Sequence, residues 1–262
     1  MSLPESSADA AVPASLPRTP RPPRIWKFIG TSLWGLLAFG AMFLGQIAVA
    51  AWFLLKDGVV DFDAAKALLG SGVLISLSVL MGLPAALAAL WLATRVARTP
   101  FAEYLALRGT SWRNFLFGAV SLIVLIAAWD VLSRAIGRDA TPGFMVDVLK
   151  SAQDDGALWL LVIAFCVAAP ITEEFLVRGF LYRGWSESFL RPVGAIMLSS
   201  LVWTAMHLQY DWFFFGEIFS IGLLLGYLRY RSGSIWLTVF VHGLNNLAAT
   251  LQTIWLASHG TS

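Results

Sequence analysis

The chain has 262 residues and a formal net charge of +2, too small a surplus to imply a nucleic-acid partner. Hydrophobic residues make up 58% and charged residues 13%, where an ordinary soluble domain carries about 25% charged, and the mean hydropathy is +0.73. These values exclude a soluble globular domain and select an all-α, multi-pass transmembrane helical bundle. The single cysteine, Cys166, rules out an internal disulfide and lies in an apolar run, where packing is its expected role.

Six of the eleven prolines fall within residues 1–24, so 1–26 reads as a disordered cytoplasmic tail. The basic cluster Arg18, Arg21, Arg24 and Lys27 sits too late for a signal peptide, and the apolar run after it is too long. That run, 28–55, is the first expected span. Others are expected at 68–94, 115–136, 157–187, 193–210, 212–230 and 233–257. This makes about seven spans, with room for an eighth. With the N-terminus cytoplasmic, inside segments hold thirteen Lys and Arg and outside segments five, the asymmetry of a chain with positive loops inside. The stretch 144–150 suggests a short interfacial helix. We divide the chain into the tail, N-terminal spans and interfacial segment at 27–150, and a core at 151–258.

Ionisable groups at membrane depth are costly and point to function. Glu173, Glu174 and Arg178 lie in the fourth span, His207 in the fifth, and His242, Asn245 and Asn246 in the seventh. Glu174 and Arg178 are spaced i, i+4 in the order that favours an ion pair. Glu173 points about 100° away and is read as a free carboxylate. His242 and Asn246 share a helix face, and Asn245 points elsewhere. Counted from the cytoplasmic helix ends, Glu173 and His207 lie about 21 Å deep, Asn246 about 20 Å and His242 about 14 Å, so three helices bring polar groups to a similar depth. Glu217 and Asp130 are expected near the ends of their spans, and His259 is assigned no role.

A carboxylate and an imidazole can activate one water. Glu173 would take its proton, with His207 orienting it and passing a proton on. His242 and Asn246 can donate to a developing oxyanion. Such a set is suited to hydrolysing an amide. There is no serine elbow and no His-Glu-x-x-His zinc motif. Zinc held by Glu173, His207 and His242 stays open as an alternative, though no cofactor is favoured.

The motifs EEFLVR at 173–178, WTAMH at 203–207 and HGLNN at 242–246 resemble those of the CPBP family of intramembrane proteases, also called the type II CAAX prenyl protease or Abi family. The family's marks are Glu-Glu-x-x-x-Arg, Phe-x-x-x-His and His-x-x-x-Asn/Asp, in that order, and the resemblance covers about 157–250. It implies Glu173 as the water-activating base with His207, His242 and Asn246 as oxyanion partners, and Glu174 and Arg178 as support. Trp203 stands where the family usually has Phe, a change expected to affect only cavity shape. Expected partners are membrane lipid and a protein or peptide substrate, which eukaryotic members take in prenylated form. The expected location is a bacterial inner membrane. A non-catalytic adaptor or immunity factor on the same scaffold is the main alternative. A small transporter or proton relay is disfavoured by the lack of an internal repeat.

Overall fold

The computed structural model describes residues 22–58, 61–138 and 141–259. Most of the stretch read as a tail lies outside these residues. Its last part is tied down: Arg24 donates its backbone N–H to Ala97 O at 3.0 Å, and the Trp26 indole donates to Ala93 O at 3.0 Å. The disorder expected to reach residue 26 therefore does not extend over Arg24–Trp26.

Among the described residues the regular structure is helical throughout. The helices are α1 (Phe28–Lys56), α2 (Phe62–Leu69), α3 (Gly72–Ala97), α4 (Phe101–Leu105), α5 (Trp112–Ala135) and α6 (Gly143–Asp154). The long α7 (Leu158–Ser186) follows, then α8 (Arg191–Ala205), α9 (Trp212–Ser232) and α10 (Ile235–His259). Of these, α1, α3, α5, α7 and α9 are long and apolar enough to cross a membrane.

The two other expected spans are helices of a different kind. α8 has 15 residues, about 22 Å of helix against a hydrocarbon core of about 30 Å. α10 has 25 residues but carries His242, Asn245, Asn246 and Gln252 along its length. The helix expected near 144–150 is α6, which buries Met145, Val148, Leu149 and Ala152.

Exposure sorts the bundle. α1 and α5 turn long apolar faces outward, with Leu33, Leu36, Leu44 and Leu55 on α1 and Val120, Ile123, Val124 and Val131 on α5. Such faces are stable only against lipid tails or other apolar surface. α7 is the central helix, with half of its most apolar window buried. That is where a span carrying Glu174 and Arg178 has to sit, since charge at membrane depth faces protein rather than lipid.

Two stretches of α7, Ala164–Ala168 and Phe175–Leu181, are π-helical, and they flank the α-helical Ala169–Glu174. The first has a cause in the sequence. In the i→i+5 pattern, Ala169 N–H bonds Ala164 O. Phe165 O would take the next bond from residue 170, but that residue is Pro170, which has no N–H. The stranded carbonyl accepts from Asn246 Nδ2 of α10 at 2.8 Å. Gly243 lets α10 come this close, because a Cβ there would stand 2.8 Å from Cys166 O. In the second π stretch, Arg178 O accepts from Arg229 Nε of α9 at 3.2 Å. Backbone acceptors within α7 are thus satisfied by polar side chains of its neighbours, as burial in an apolar medium demands.

Candidate active site

The site rests on an ion pair with no exposed surface. Arg178 Nη1 donates to Glu174 Oε1 at 2.8 Å, and both side chains are 0% exposed. Arg178 Nη2 reaches Gly222 O on α9 at 3.2 Å, and the guanidinium lies 4.6 Å from the Trp203 ring centroid. Glu174 Oε1 also accepts from His242 Nδ1 at 3.0 Å. The pair read from the i, i+4 spacing is present, and it ties α7 to α8, α9 and α10.

A carboxylate can only accept, so His242 Nδ1 carries a proton. In the neutral ring, Nε2 is then a bare lone pair. It faces Glu173 Oε2 at 3.9 Å, too far for a direct hydrogen bond. Both atoms are acceptors unless a proton, or a water hydrogen, lies between them. His242 is 2% exposed, and it packs beside Trp203 with ring centroids 5.1 Å apart. It thus lies behind Glu173 and does not form the cavity wall, where a direct oxyanion donor would have to be.

Glu173 is not free. Its Oε2 accepts the Trp203 indole N–H at 2.5 Å, a charge-assisted bond that fixes the carboxylate's rotamer. Its side chain is 18% exposed and reaches the cavity. Trp203 therefore does more than shape the cavity: the Phe usual at this position in the family has a ring but no N–H to offer. We expect Trp203→Phe to keep the fold, because the ring still packs, and to lower kcat about tenfold at unchanged KM. Steady-state kinetics on the purified protein checks this, and an unchanged kcat would show that the bond does not hold the reactive carboxylate.

His207 lies in the turn after α8, not within a spanning helix, because α8 ends at Ala205. Its Nδ1 donates to Trp203 O at 2.8 Å, a carbonyl of the last helical turn that also accepts the Met206 N–H at 3.1 Å. That bond leaves Nε2 of the neutral ring as an acceptor. The ring stacks on Tyr210 with centroids 6.0 Å apart.

Glu173, His207, Asn245 and Asn246 line a cavity of about 290 Å³ whose other walls are largely apolar. Asn245 was expected to point elsewhere. The cavity takes in a wide arc of α10, which also includes Ala248, Ala249 and Gln252, and Asn245 Nδ2 donates to Asn246 Oδ1 at 3.2 Å. Glu217, expected near a span end, lines the same cavity. Asp130 bonds Gln252 Nε2 at 3.2 Å. A second cavity of about 190 Å³ lies between α1, α3 and α7 and shares Glu173 and His207 with the first.

Among the described residues, no three His, Cys, Asp or Glu side chains come together as a metal donor set. His242 and His207 each commit Nδ1, which leaves the Nε2 atom of each ring open. No step is derived through a metal.

Residues 155–248 match the model of the type II CAAX prenyl endopeptidase Rce1-like family. The resemblance carried by the three motifs is thereby shown over that segment. The match takes in Glu173, Glu174, Arg178, Trp203, His207, His242 and Asn246, and leaves out α1 to α6. The UPF0177 protein YbdI of Lactococcus lactis subsp. lactis (strain IL1403) is 26% identical over 134 residues, 51% of this chain and 67% of its own. An uncharacterised 24.3 kDa protein of Escherichia coli is 29% identical over 150 residues, 56% of this chain and 65% of its own. An uncharacterised protein of Bacillus subtilis (strain 168), YyaK, is 24% identical over 230 residues, 81% of this chain and 73% of its own. Their names state no activity. No solved structure matches the chain. The Rce1-like match and the five apolar helices together support an integral membrane protein of the intramembrane protease class.

Proposed function

We propose that the protein is an intramembrane endopeptidase that hydrolyses a peptide bond of a membrane-associated protein or peptide, using a glutamate-activated water and no metal. The observation that carries this reading is the placement of Glu173. It is the one carboxylate of the pair that reaches the cavity, held by Trp203 and flanked by two imidazoles whose Nε2 atoms are acceptors. Glu173 takes a proton from a water at the cavity wall. That water attacks the substrate carbonyl carbon, and His207 orients it through Nε2. Asn246 and Asn245 each bond one amide N–H within the protein, to Phe165 O and to Asn246 Oδ1, and their second N–H groups serve the developing oxyanion. His242, behind Glu173, holds the proton once Glu173 has taken it, and Glu174 balances the imidazolium. The proton then passes to the leaving amine.

Seven membrane-crossing segments with a cytoplasmic N-terminus, in a bacterial inner membrane, complete the proposal, with α8 and α10 supplementing the five apolar helices. Membrane lipid surrounds the bundle, and the substrate approaches from within the bilayer or its surface. A prenylated C-terminal peptide is the first substrate to try, given what the family's name describes. The purified protein is incubated with farnesylated and unmodified peptides of one sequence, and the products are read by mass spectrometry. Release of a C-terminal tripeptide from the farnesylated peptide alone supports a CAAX-type reaction. Cleavage of both supports a broader endopeptidase, and cleavage of neither by a folded protein favours a non-catalytic adaptor. Asn246→Ala is expected to lower kcat about 100-fold with little change in KM. A rise in KM at constant kcat would count against the oxyanion role.

A further inference from the structure

One helix beside the candidate site, α1, lies outside the segment that matches the Rce1-like family. α1 carries one amide at membrane depth, Gln46, within the run Phe43-Leu-Gly-Gln46-Ile-Ala-Val. Its side chain lines the cavity of about 190 Å³ together with Met42, Phe43 and Val79, and the far wall of that cavity is Glu173 and His207. Room for it is made by Gly82 on α3, where a Cβ would stand 3.2 Å from Gln46 Nε2. Among the described residues, Gln46 has no hydrogen-bond partner, since none of the side-chain bonds that tie α1 to its neighbours involves it. Gln46 is half-buried, and its amide is not one of the polar groups sealed off without a partner, so it faces open cavity. An amide so placed can be met by water or by a peptide group that enters the cavity.

We infer that Gln46 binds the backbone of the substrate on one side of the scissile bond, and that the α1–α3 cavity is a subsite continuous with Glu173. A primary amide offers one donor edge and one acceptor, the complement of a single peptide group. The surrounding Met42, Phe43 and Val79 suit an apolar side chain of the same substrate residue. The two cavities meet at Glu173 and His207, so an extended peptide lying in both would present one bond to the carboxylate. This inference rests on the protease reading proposed above. It adds that the N-terminal helix, and not only the family segment, builds the substrate site.

Two measurements on the full chain test it. The first uses cysteine substitutions in a Cys166→Ser background, in membranes. Gln46→Cys is expected to react with a charged, water-soluble methanethiosulfonate reagent, while Leu44→Cys, on the outward apolar face, does not. Silence at residue 46 would mean a dry cavity closed to substrate and would overturn the inference. The second is kinetic, with whichever peptide the native protein cleaves. Gln46→Leu, which suits a lipid-embedded helix and should not lower the thermal midpoint, is expected to raise KM about tenfold with kcat within about twofold of native. An unchanged KM overturns the inference while leaving the protease reading intact. Labelling at residue 46 with no proteolysis by the native protein instead sinks the protease reading, and removes the peptide as occupant of the cavity.

Discussion

Replacing Glu173 with Gln is expected to lower peptide hydrolysis about 1,000-fold while leaving the protein as stable as the native form. The two side chains have the same shape. The Gln carbonyl oxygen can still accept the Trp203 indole N–H, now made to Glu173 Oε2 at 2.5 Å. His242 Nε2 faces that same Oε2 across 3.9 Å, so keeping the Trp203 bond puts the amide nitrogen at the Oε1 position and leaves the His242 contact as it is. What the amide cannot do is accept a proton from water. Thermal unfolding in detergent and hydrolysis rates on the same preparation separate the two effects. Near-native hydrolysis by a well-folded Glu173→Gln protein would remove Glu173 from the chemistry.

The second large effect is on stability. Arg178→Met leaves Glu174 at 0% exposure with the His242 hydrogen bond as its remaining contact of this kind, and removes the bond to Gly222 O. Breaking a buried pair from one side costs roughly 3–5 kcal/mol, far more than the pair's net worth. The lost contact between the guanidinium and the Trp203 ring adds to this. Glu174→Gln together with Arg178→Met should recover much of the loss, because no uncompensated charge then remains. A double-mutant cycle on unfolding midpoints measures the coupling. If the single Arg178→Met variant is as stable as native, the pair is not a structural support of the site. The Glu174 pair and the Glu173 base are thus expected to fail differently, one through fold and the other through turnover.

The carboxylate sorting was legible because helix geometry is local. A spacing of four puts Glu174 and Arg178 on one face, and one residue of offset sends Glu173 elsewhere, whatever the rest of the bundle does. The gathering of His207, His242 and Asn246 around Glu173 was legible from depth alone. What the sequence hid is tertiary. The aim of the Trp203 indole depends on a rotamer chosen by packing, so a donor to Glu173 looked like a mere aromatic wall. His242 shares a face with Asn246, yet it ends behind Glu173 because Glu174 takes its Nδ1. Asn245 faces the cavity because that cavity is wider than one helical stripe. The first π-helical stretch of α7 follows from Pro170 together with Asn246, 76 positions later in the chain, a pairing no local pattern announces. Gln46 passed unnoticed because one amide in an apolar helix means little until a cavity is seen beside it.

The most direct test of the central claim compares new peptide termini in membranes from cells making the native protein and cells making Glu173→Gln, at matched abundance. Termini present only with the native protein are the predicted result, and their positions would name the substrates and the bond cut. Identical termini in the two membranes, with both proteins folded, would contradict the account and leave Glu173 as part of a buried polar network that holds the bundle together.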